Sequence, residues 1–267
     1  MLAAACTATQ RARTVNSVQY KQGAMDLSAQ FAVTVLMGLF LAVVAMGLSR
    51  LENWRSYTPL ASRGTAVSDE TGYVSDEKPA GVLRWLTTVD HKDIGILSAT
   101  FALISFGWGG IAVLLMRTEL ITAEMDILAG LGGNAVYNAL LTTHGTTMLF
   151  LFATPILAAL GNYVIPLLIG ADDMAFPRIN AIAFWLLPPG ALLIWVGFFL
   201  DPITGGLIEP SQTSWTMYAP LSVEQANPGV DLFLLGLHMT GVSTTMGAIN
   251  FIATIITERA EDVTWAE

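Results

Sequence analysis

Residues 142–180 read TTHGTTMLFLFATPILAALGNYVIPLLIGADDMAFPRIN. This stretch places His144 at one end of a long apolar segment and an acidic turn with Asp172 and Asp173 at the other. At about 1.5 Å per helical residue, the steps from position 144 to position 170 cover roughly 39 Å, close to a full bilayer with its headgroups. We therefore expect one helix to carry a possible ligand and a proton-accessible carboxylate near opposite membrane faces.

The composition indicates a membrane protein. Hydrophobic residues make up 54% of the chain and charged residues only 12%, and the mean hydropathy is +0.59. Such values exclude an ordinary soluble domain. Long apolar segments, each long enough to span a bilayer, predict an all-α, polytopic membrane helix bundle with five transmembrane helices. They lie at residues 31–48, 94–116, 137–168, 179–200 and 232–256.

The chain divides into four regions by composition. Residues 1–24 form a polar tail, predicted to be disordered, with no secretory signal pattern, and residues 25–50 contain the first transmembrane helix. Residues 51–85 are too polar to bury a core and are predicted to be a linker, whereas residues 86–267 hold the remaining spans. The single cysteine, Cys6, cannot form an internal disulfide, so the fold depends on helix packing.

The charges suggest an orientation and exclude one class of partner. The net charge of −9, with the acids concentrated in the connections, is unsuited to nucleic acid. These acids fit either ordinary solvated loops or adaptation to high salt. Eight of the twelve lysines and arginines lie on one side if the spans alternate, so we expect that side to be cytoplasmic. The N-terminus is then outside and the C-terminus is cytoplasmic.

Polar residues inside the spans are the candidates for chemistry, because each costs free energy in lipid unless it has a partner. His144 fits either a bond to a neighbouring backbone carbonyl or ligation of a haem or metal. Gly145 beside it leaves room for a bulky group. Asn162 follows by 18 residues, five turns of an ideal helix, and fits a hydrogen bond between helices. Pro155 and Pro166 predict kinks in the same helix.

Three further features have both a structural and a functional interpretation. The turn that contains Asp173 fits a solvated loop or a proton-collecting mouth. Arg117, at one end of its span, fits snorkelling or a bond to a cofactor group. In the last span, a pattern of small residues is typical of close helix contact. That pattern consists of Gly236, Thr240, Ser243 and Gly247.

Taken together, these segments resemble subunit I of the haem-copper respiratory oxidases, of the cytochrome c oxidase type. The matching motifs follow the family's order and cover most of residues 90–256. They are DHKDIG (90–95), LLMRTEL (114–120), YNALLTTHGTTM (137–148), GNYVIPLLIGADDMAFPRINAIAFWLLPP (161–189), SWTMYAPL (214–221) and DLFLLGLHMTGVSTTMGAINFIATII (231–256).

The resemblance implies electron transfer to dioxygen coupled to proton translocation, and it implies roles for matching residues. His144 matches an axial ligand of the low-spin haem iron, Arg117 an arginine that contacts that haem, and Trp215 a tryptophan near its propionates. Asp173 matches the carboxylate at the entrance of a proton channel. The remaining channel positions are Asn162 and Asn180 at the mouth, and Ser243 and Thr244 higher up.

The match has departures. Ser98 replaces a common channel tyrosine, Ala183 a serine and Ala181 an asparagine, and the stretch between positions 155 and 162 is one residue shorter than in the commonest members. The transmembrane helix at residues 31–48 is an addition found in some lineages.

The chain stops at Glu267, after the family's fourth helix, so we expect an N-terminal portion that is not catalytic alone. The resemblance implies that the second haem and the copper come with the missing C-terminal helices. Expected partners are those helices, other oxidase subunits, the lipid bilayer and an electron donor such as cytochrome c, a small copper protein or quinol. The expected location is a prokaryotic plasma membrane.

Two alternatives stay open from the sequence. One is a small membrane cytochrome in which His144 and His238 bind the same haem. The other is a non-functional product of a split gene, which is compatible with every motif above.

Overall fold

The computed structural model describes residues 81–124, 127–225 and 227–264. The extra helix predicted at residues 31–48 and most of the predicted linker lie outside these residues. Helix α1 (Val82–Thr87) belongs to a unit of its own, in which the Arg84 guanidinium lies 5.3 Å from the centre of the Trp85 ring. The end of the predicted linker is therefore helical.

In the described part of the chain, the bundle is all-helical, as predicted, and four of its helical segments are long and apolar enough to cross a membrane. Each extends beyond the range predicted from hydropathy, because polar and charged end residues continue the helix. They are α2 (His91–Glu119), α3 (Asn134–Ile169), the pair α4 (Pro177–Trp185) and α5 (Leu187–Thr204), and α7 (Pro228–Thr257). The short helix α6 (Leu221–Glu224) precedes α7.

Side-chain caps fix the starts of two spans. The Asp90 carboxylate accepts the amides of Lys92 and Asp93 at 2.9 and 3.2 Å, and so α2 begins at His91. The side chain of Asn227 accepts the amide of Gly229 in the same way at the start of α7. Both caps satisfy amides that the first helical turn leaves without partners.

Helix α3 changes its winding near its middle. Residues Thr147–Ala153 form a π-helix between two α-helical parts, and the amide and hydroxyl of Thr154 both bond to the carbonyl of Leu149. Pro155 follows immediately and has no amide hydrogen to continue an α-helical ladder. The predicted irregularity at Pro155 therefore takes the form of a wider turn, which is one of the recognised ways in which a helix accommodates such a defect.

Close glycine contacts bring the helices together. A Cβ on Gly95 of α2 would lie 3.1 Å from the carbonyl oxygen of Ala159 on α3. On α7, a Cβ on Gly236 would lie 2.5 Å from the carbonyl oxygen of Gly190 on α5. The predicted close contact is thus present at Gly236 but not at Gly247, where a Cβ would meet nothing within 4 Å. Small residues allow this approach where lipid supplies no hydrophobic force between helices.

The outer surface of the bundle is apolar. On α2 alone, exposed large side chains include Leu103, Ile104, Phe106, Ile111 and Leu114. Leu151 of α3, Ala191 and Ile194 of α5 and Phe233 of α7 form a buried apolar cluster between helices. Apolar residues outside as well as inside suit a helix bundle whose solvent is lipid.

Candidate functional site

The His144 ring is oriented by a backbone carbonyl of the neighbouring helix. Its Nδ1 lies 2.8 Å from the carbonyl oxygen of Gly109 on α2. A carbonyl only accepts hydrogen bonds, so Nδ1 carries the hydrogen and Nε2 keeps its lone pair. The structure thus contains the bond to a backbone carbonyl that was one interpretation of His144. Ligation of a haem or metal, the other interpretation, stays open, because metal-ligating histidines are commonly held by such a bond.

Trp215 occupies the space beside Gly145. A Cβ on Gly145 would meet three atoms of the Trp215 side chain at 3.1–3.3 Å. The preceding residue is anchored to the same helix, because the Ser214 amide donates to the hydroxyl of Thr142 at 2.9 Å. The room that the glycine was expected to leave is therefore filled by the Trp215 indole, which packs against Gly145 and remains half exposed.

Arg117 lies on the helix that supplies Gly109, eight residues further along the chain, and its side chain is exposed. The structure does not bring it into contact with His144. On the same two helices, two buried hydroxyls have no hydrogen-bond partner among the described residues, those of Ser105 on α2 and Thr146 on α3.

His238 lies in a different environment from His144. Its Nδ1 bonds to the Leu234 carbonyl of its own helix at 2.8 Å. It lines an open groove of about 510 Å³ whose lining residues all belong to α7. The described contacts therefore do not join His238 to His144. No group of three or more His, Cys, Asp or Glu side chains in the described ranges could hold a metal ion.

At the opposite end of the bundle, His91 links the predicted channel residues. Its backbone amide donates to Oδ1 of Asp173 at 3.3 Å, and its Nδ1 lies 2.8 Å from the carbonyl oxygen of Asn162. His91 is buried, with 2% of its surface exposed. The sequence interpretation gave this residue no role, although it lies in the DHKDIG motif.

The Asp173 carboxyl is an unusual acid. Burial raises its pKa above the ordinary value, while the hydrogen bond from the Met174 amide and the charge of His91 lower it, and the charge of Asp90 raises it. The net direction is upward. A carboxyl that protonates more readily than usual at a membrane surface is suited to receive protons and release them.

Two residues of α7 hold the turn that carries Asp173. The Asn250 carboxamide accepts the Phe176 amide at 2.9 Å and donates to the carbonyl of the same residue at 3.3 Å. The hydroxyl of Thr254, one helical turn later, accepts the Ala175 amide at 2.9 Å. Sequence reasoning assigned this function to neither residue. The signal was available in the spacing, because two polar side chains four residues apart share one helix face.

The two channel asparagines keep polar atoms without partners. Asn162 is 5% exposed and Asn180 2% exposed. Oδ1 of Asn162 and Nδ2 of Asn180 have no hydrogen-bond partner among the described residues. The winding of α3 also changes the expected geometry, because Thr147–Ala153 is π-helical and the 18 residues from His144 to Asn162 are not five ideal turns.

Ser243 and Thr244 face different surroundings. The Ser243 hydroxyl is buried and donates to the carbonyl of Ala183 on α4 at 2.6 Å. The Thr244 hydroxyl donates to the Thr240 carbonyl of its own helix at 2.9 Å, and its side chain is exposed. In the described chain, the two residues therefore do not line one shared surface.

The family model for cytochrome c and quinol oxidase polypeptide I matches residues 93–267. The chain belongs to this family. Its similarity to curated members is extensive. It is 60% identical over 240 residues to a cytochrome c oxidase polypeptide 1 of Halobacterium salinarum, an alignment that covers 90% of this chain and 39% of that protein. Because 90% of the chain is covered, the similarity reaches well before residue 93, where the family match begins.

Other oxidase relatives match a shorter part of the chain. A cytochrome c oxidase subunit 1 of Synechocystis is 43% identical over 175 residues, covering 66% of this chain and 30% of that protein. One of Corynebacterium efficiens is 40% identical over 212 residues, covering 75% of this chain and 35% of that protein. The chain thus spans between 30% and 39% of the length of these oxidase subunits. Family membership and the four apolar helices make it a multi-pass membrane protein.

Proposed function

We propose that this chain forms the N-terminal part of the catalytic subunit of a terminal respiratory oxidase. In this function it contributes one axial ligand of a low-spin haem and the entrance of a proton channel. The whole reaction is electron transfer to dioxygen coupled to proton translocation, carried out with the remaining helices of subunit I and other oxidase subunits. The similarity to oxidase subunits over the whole apolar region supports this function.

The orientation of the His144 ring is the observation that carries the haem assignment. The bond from Nδ1 to the Gly109 carbonyl fixes the tautomer and leaves Nε2 available as a ligand. Two buried hydroxyls on the same helices, those of Ser105 and Thr146, have no partner among the described residues and would bind water or another polar group. The residues present therefore fit one side of a haem site.

Within that site, each residue of this chain has a distinct task. A haem with two axial imidazoles supplies electron transfer without binding oxygen. His144 would supply one imidazole, and the Gly109 carbonyl would raise its basicity through the Nδ1 hydrogen. Trp215, which packs against Gly145, would lie near the propionates of the cofactor. Arg117 would offer hydrogen bonds and positive charge to a peripheral group of the cofactor.

At the other end, Asp173 would collect protons. Its raised pKa favours uptake from water. The unpartnered amide atoms of Asn162 and Asn180 would bind water that carries the proton inward. Ser243 would extend this path along α7, and Thr244 would contribute only where another helix covers it. The second haem and the copper would belong to the remaining helices.

The assignment also implies a location and partners. The excess of lysine and arginine on the Asp173 side supports a cytoplasmic position for that side, with the C-terminus inside and the N-terminus outside. The membrane is the plasma membrane of a prokaryote. The donor would be cytochrome c, a small copper protein or quinol.

The test uses the complete oxidase that contains this chain, purified after single substitutions. His144→Ala should abolish the absorption of the low-spin haem, because no other described residue replaces the lost Nε2. His238→Ala is the matched control and should leave that absorption unchanged. Retention of low-spin haem in His144→Ala would refute the assignment, and its loss in His238→Ala would favour a haem held by both histidines.

A further inference from the structure

A tryptophan of α5 is bonded to the segment that carries His144. Nε1 of Trp195 donates to the Thr147 hydroxyl at 3.0 Å, and Thr147 has no exposed surface. Thr147 lies one helical turn after His144, and its amide bonds to the carbonyls of His144 and Thr143. The hydroxyl held by Trp195 therefore belongs to the same turn of helix as the His144 ring.

The same indole also packs against the helix that orients the ring. The ring centres of Trp195 and Trp108 are 5.4 Å apart, and Trp108 is the residue before Gly109 on α2. Gly109 provides the carbonyl that receives the His144 ring. From a third helix, Trp195 thus contacts Thr147, one turn after His144, and Trp108, the neighbour of Gly109, so it touches both helices that form the hydrogen bond of the imidazole.

The position of Thr147 in α3 explains why the hydrogen bond from Trp195 would matter for His144. It is the first residue of the π-helical segment Thr147–Ala153, where the hydrogen-bond register changes from that of an α-helix to a wider one. A change of register next to a ligand would rotate that ligand. A side chain bonded to Thr147 from outside the helix therefore holds the register at the place where it begins to change.

We propose that Trp195 is a positioning residue for His144. Its indole N–H holds Thr147, and its ring holds Trp108, so that α2 and α3 keep the separation at which His144 Nδ1 reaches the Gly109 carbonyl. This role rests on the proposed function of His144 as a haem ligand. Trp195 does not touch the reacting atoms, and its effect passes through Thr147 on α3 and Trp108 on α2.

Three substitutions in the complete oxidase separate the hydrogen bond from general packing. Trp195→Phe keeps an aromatic ring without the donor, Thr147→Val removes the acceptor at nearly constant shape, and Thr147→Ser keeps the acceptor. The readouts are the electron paramagnetic resonance spectrum of the low-spin ferric haem and its oxidised-to-reduced ratio at a fixed potential. We expect the first two variants to broaden the spectrum and to change the ratio by less than roughly tenfold, because direct partners of ligands have effects of tenfold or more. Thr147→Ser should resemble the unmodified enzyme.

A double variant tests whether the two side chains act together. Trp195→Phe combined with Thr147→Val should change the ratio no more than the larger single change, because both remove the same bond. Additive changes would overturn the proposal. Trp185→Phe on α4 and Thr245→Val on α7 are matched controls, since the ring contact of Trp185 is with Phe184 and the hydroxyl of Thr245 bonds to Gly241 of its own helix, and both should leave the spectrum unchanged.

A readout that does not depend on haem completes the test. Ultraviolet resonance Raman bands that report tryptophan N–H hydrogen bonding should show the weakening of one bond in Thr147→Val. The same bands should be unchanged in Thr147→Ser. An unchanged band in Thr147→Val would overturn the proposal. Unchanged haem spectra in Trp195→Phe, with low-spin haem still lost in His144→Ala, would refute the role of Trp195 and keep that of His144. Retention of low-spin haem in His144→Ala would refute the proposed function itself.

Discussion

The Asn250 carboxamide bonds to both backbone polar groups of Phe176, accepting from its amide at 2.9 Å and donating to its carbonyl at 3.3 Å. Asn250 has no exposed surface, so both bonds are shielded from water. An asparagine on a membrane helix thereby takes the place of a neighbouring peptide group. The turn of residues 170–176, which carries Asp173, is held to α7 by this residue and by Thr254.

Substitution of Asn250 should loosen that turn. Asn250→Leu removes both bonds and leaves the Phe176 amide without its partner, which costs about 1–3 kcal/mol, whereas the Phe176 carbonyl still accepts the Asn180 amide at 3.0 Å. We expect lower thermal stability of the bundle and faster hydrogen exchange at residues 170–176, measured by mass spectrometry. Thr257→Val on the same helix removes an exposed hydroxyl and should change neither quantity. Unchanged exchange at residues 170–176 in Asn250→Leu would contradict the clamp.

The raised pKa of Asp173 predicts a pH dependence of stability with a definite sign. The folded state binds the Asp173 proton more tightly than the unfolded chain, whose aspartate pKa is about 3.9. The contribution of this group is therefore complete below about pH 3.9 and is lost as the pH rises through the folded pKa. The variant Asp173→Asn has no carboxyl to titrate at this position, so its stability does not change with pH through this group. The difference in unfolding free energy, unmodified minus variant, should fall with rising pH in that window, and a rise would show that burial does not dominate.

The proposed proton entrance predicts a functional effect of the same substitution. In the complete oxidase, Asp173→Asn should slow proton uptake by about tenfold or more, because a positioned acid is lost. Asn can still accept the amides of His91 and Met174, so the turn should stay in place. Time-resolved pH-indicator measurements give the uptake rate, and absorption spectra give the state of the haem. The neighbouring Asp172→Asn, at an exposed position, should affect neither.

The contact between α5 and α7 predicts a contrast between two glycines of one helix. Gly236→Ala would place a methyl group 2.5 Å from the Gly190 carbonyl oxygen and 2.9 Å from Ile194, and overpacking of this kind typically costs about 1–3 kcal/mol. Gly247→Ala meets nothing within 4 Å. Thermal unfolding in detergent should therefore show a loss for Gly236→Ala only. Equal changes in thermal stability for the two variants would mean that the helix propensity of alanine, and not the contact with α5, determines the result.

Much of the fold could be predicted from the sequence, because membrane spans depend on hydropathy alone. The four described spans were all predicted, but the predicted ranges were too short at their ends. At the starts of α2 and α7, the capping bonds of Asp90 and Asn227 extend the helix beyond the apolar segment. The predicted close contact is present at Gly236, and at Gly247 no described residue approaches within 4 Å of a Cβ position. Periodicity shows which residues share a helix face but not which face has a neighbour.

The candidate site was less accessible to sequence reasoning. His144 was found because a histidine within a span is rare, but its partner is the carbonyl of Gly109, and backbone groups leave no mark in a sequence. His91 was missed for the same reason. Its backbone amide donates to the Asp173 carboxylate, and its ring Nδ1 bonds to the backbone carbonyl of Asn162. The roles of Arg117, Trp215 and the channel residues stay predictions.

The π-helical segment Thr147–Ala153 has a consequence for how this subunit tolerates changes of length. A π turn contains one more residue than an α turn, so conversion of one into the other absorbs a single insertion or deletion. The parts of α3 on either side, one with His144 and the other with Asn162, can then keep their own neighbours on α2. The shorter stretch after Pro155, relative to the commonest family members, need not move either end of the helix. Evolution can therefore adjust the two halves of this membrane helix separately.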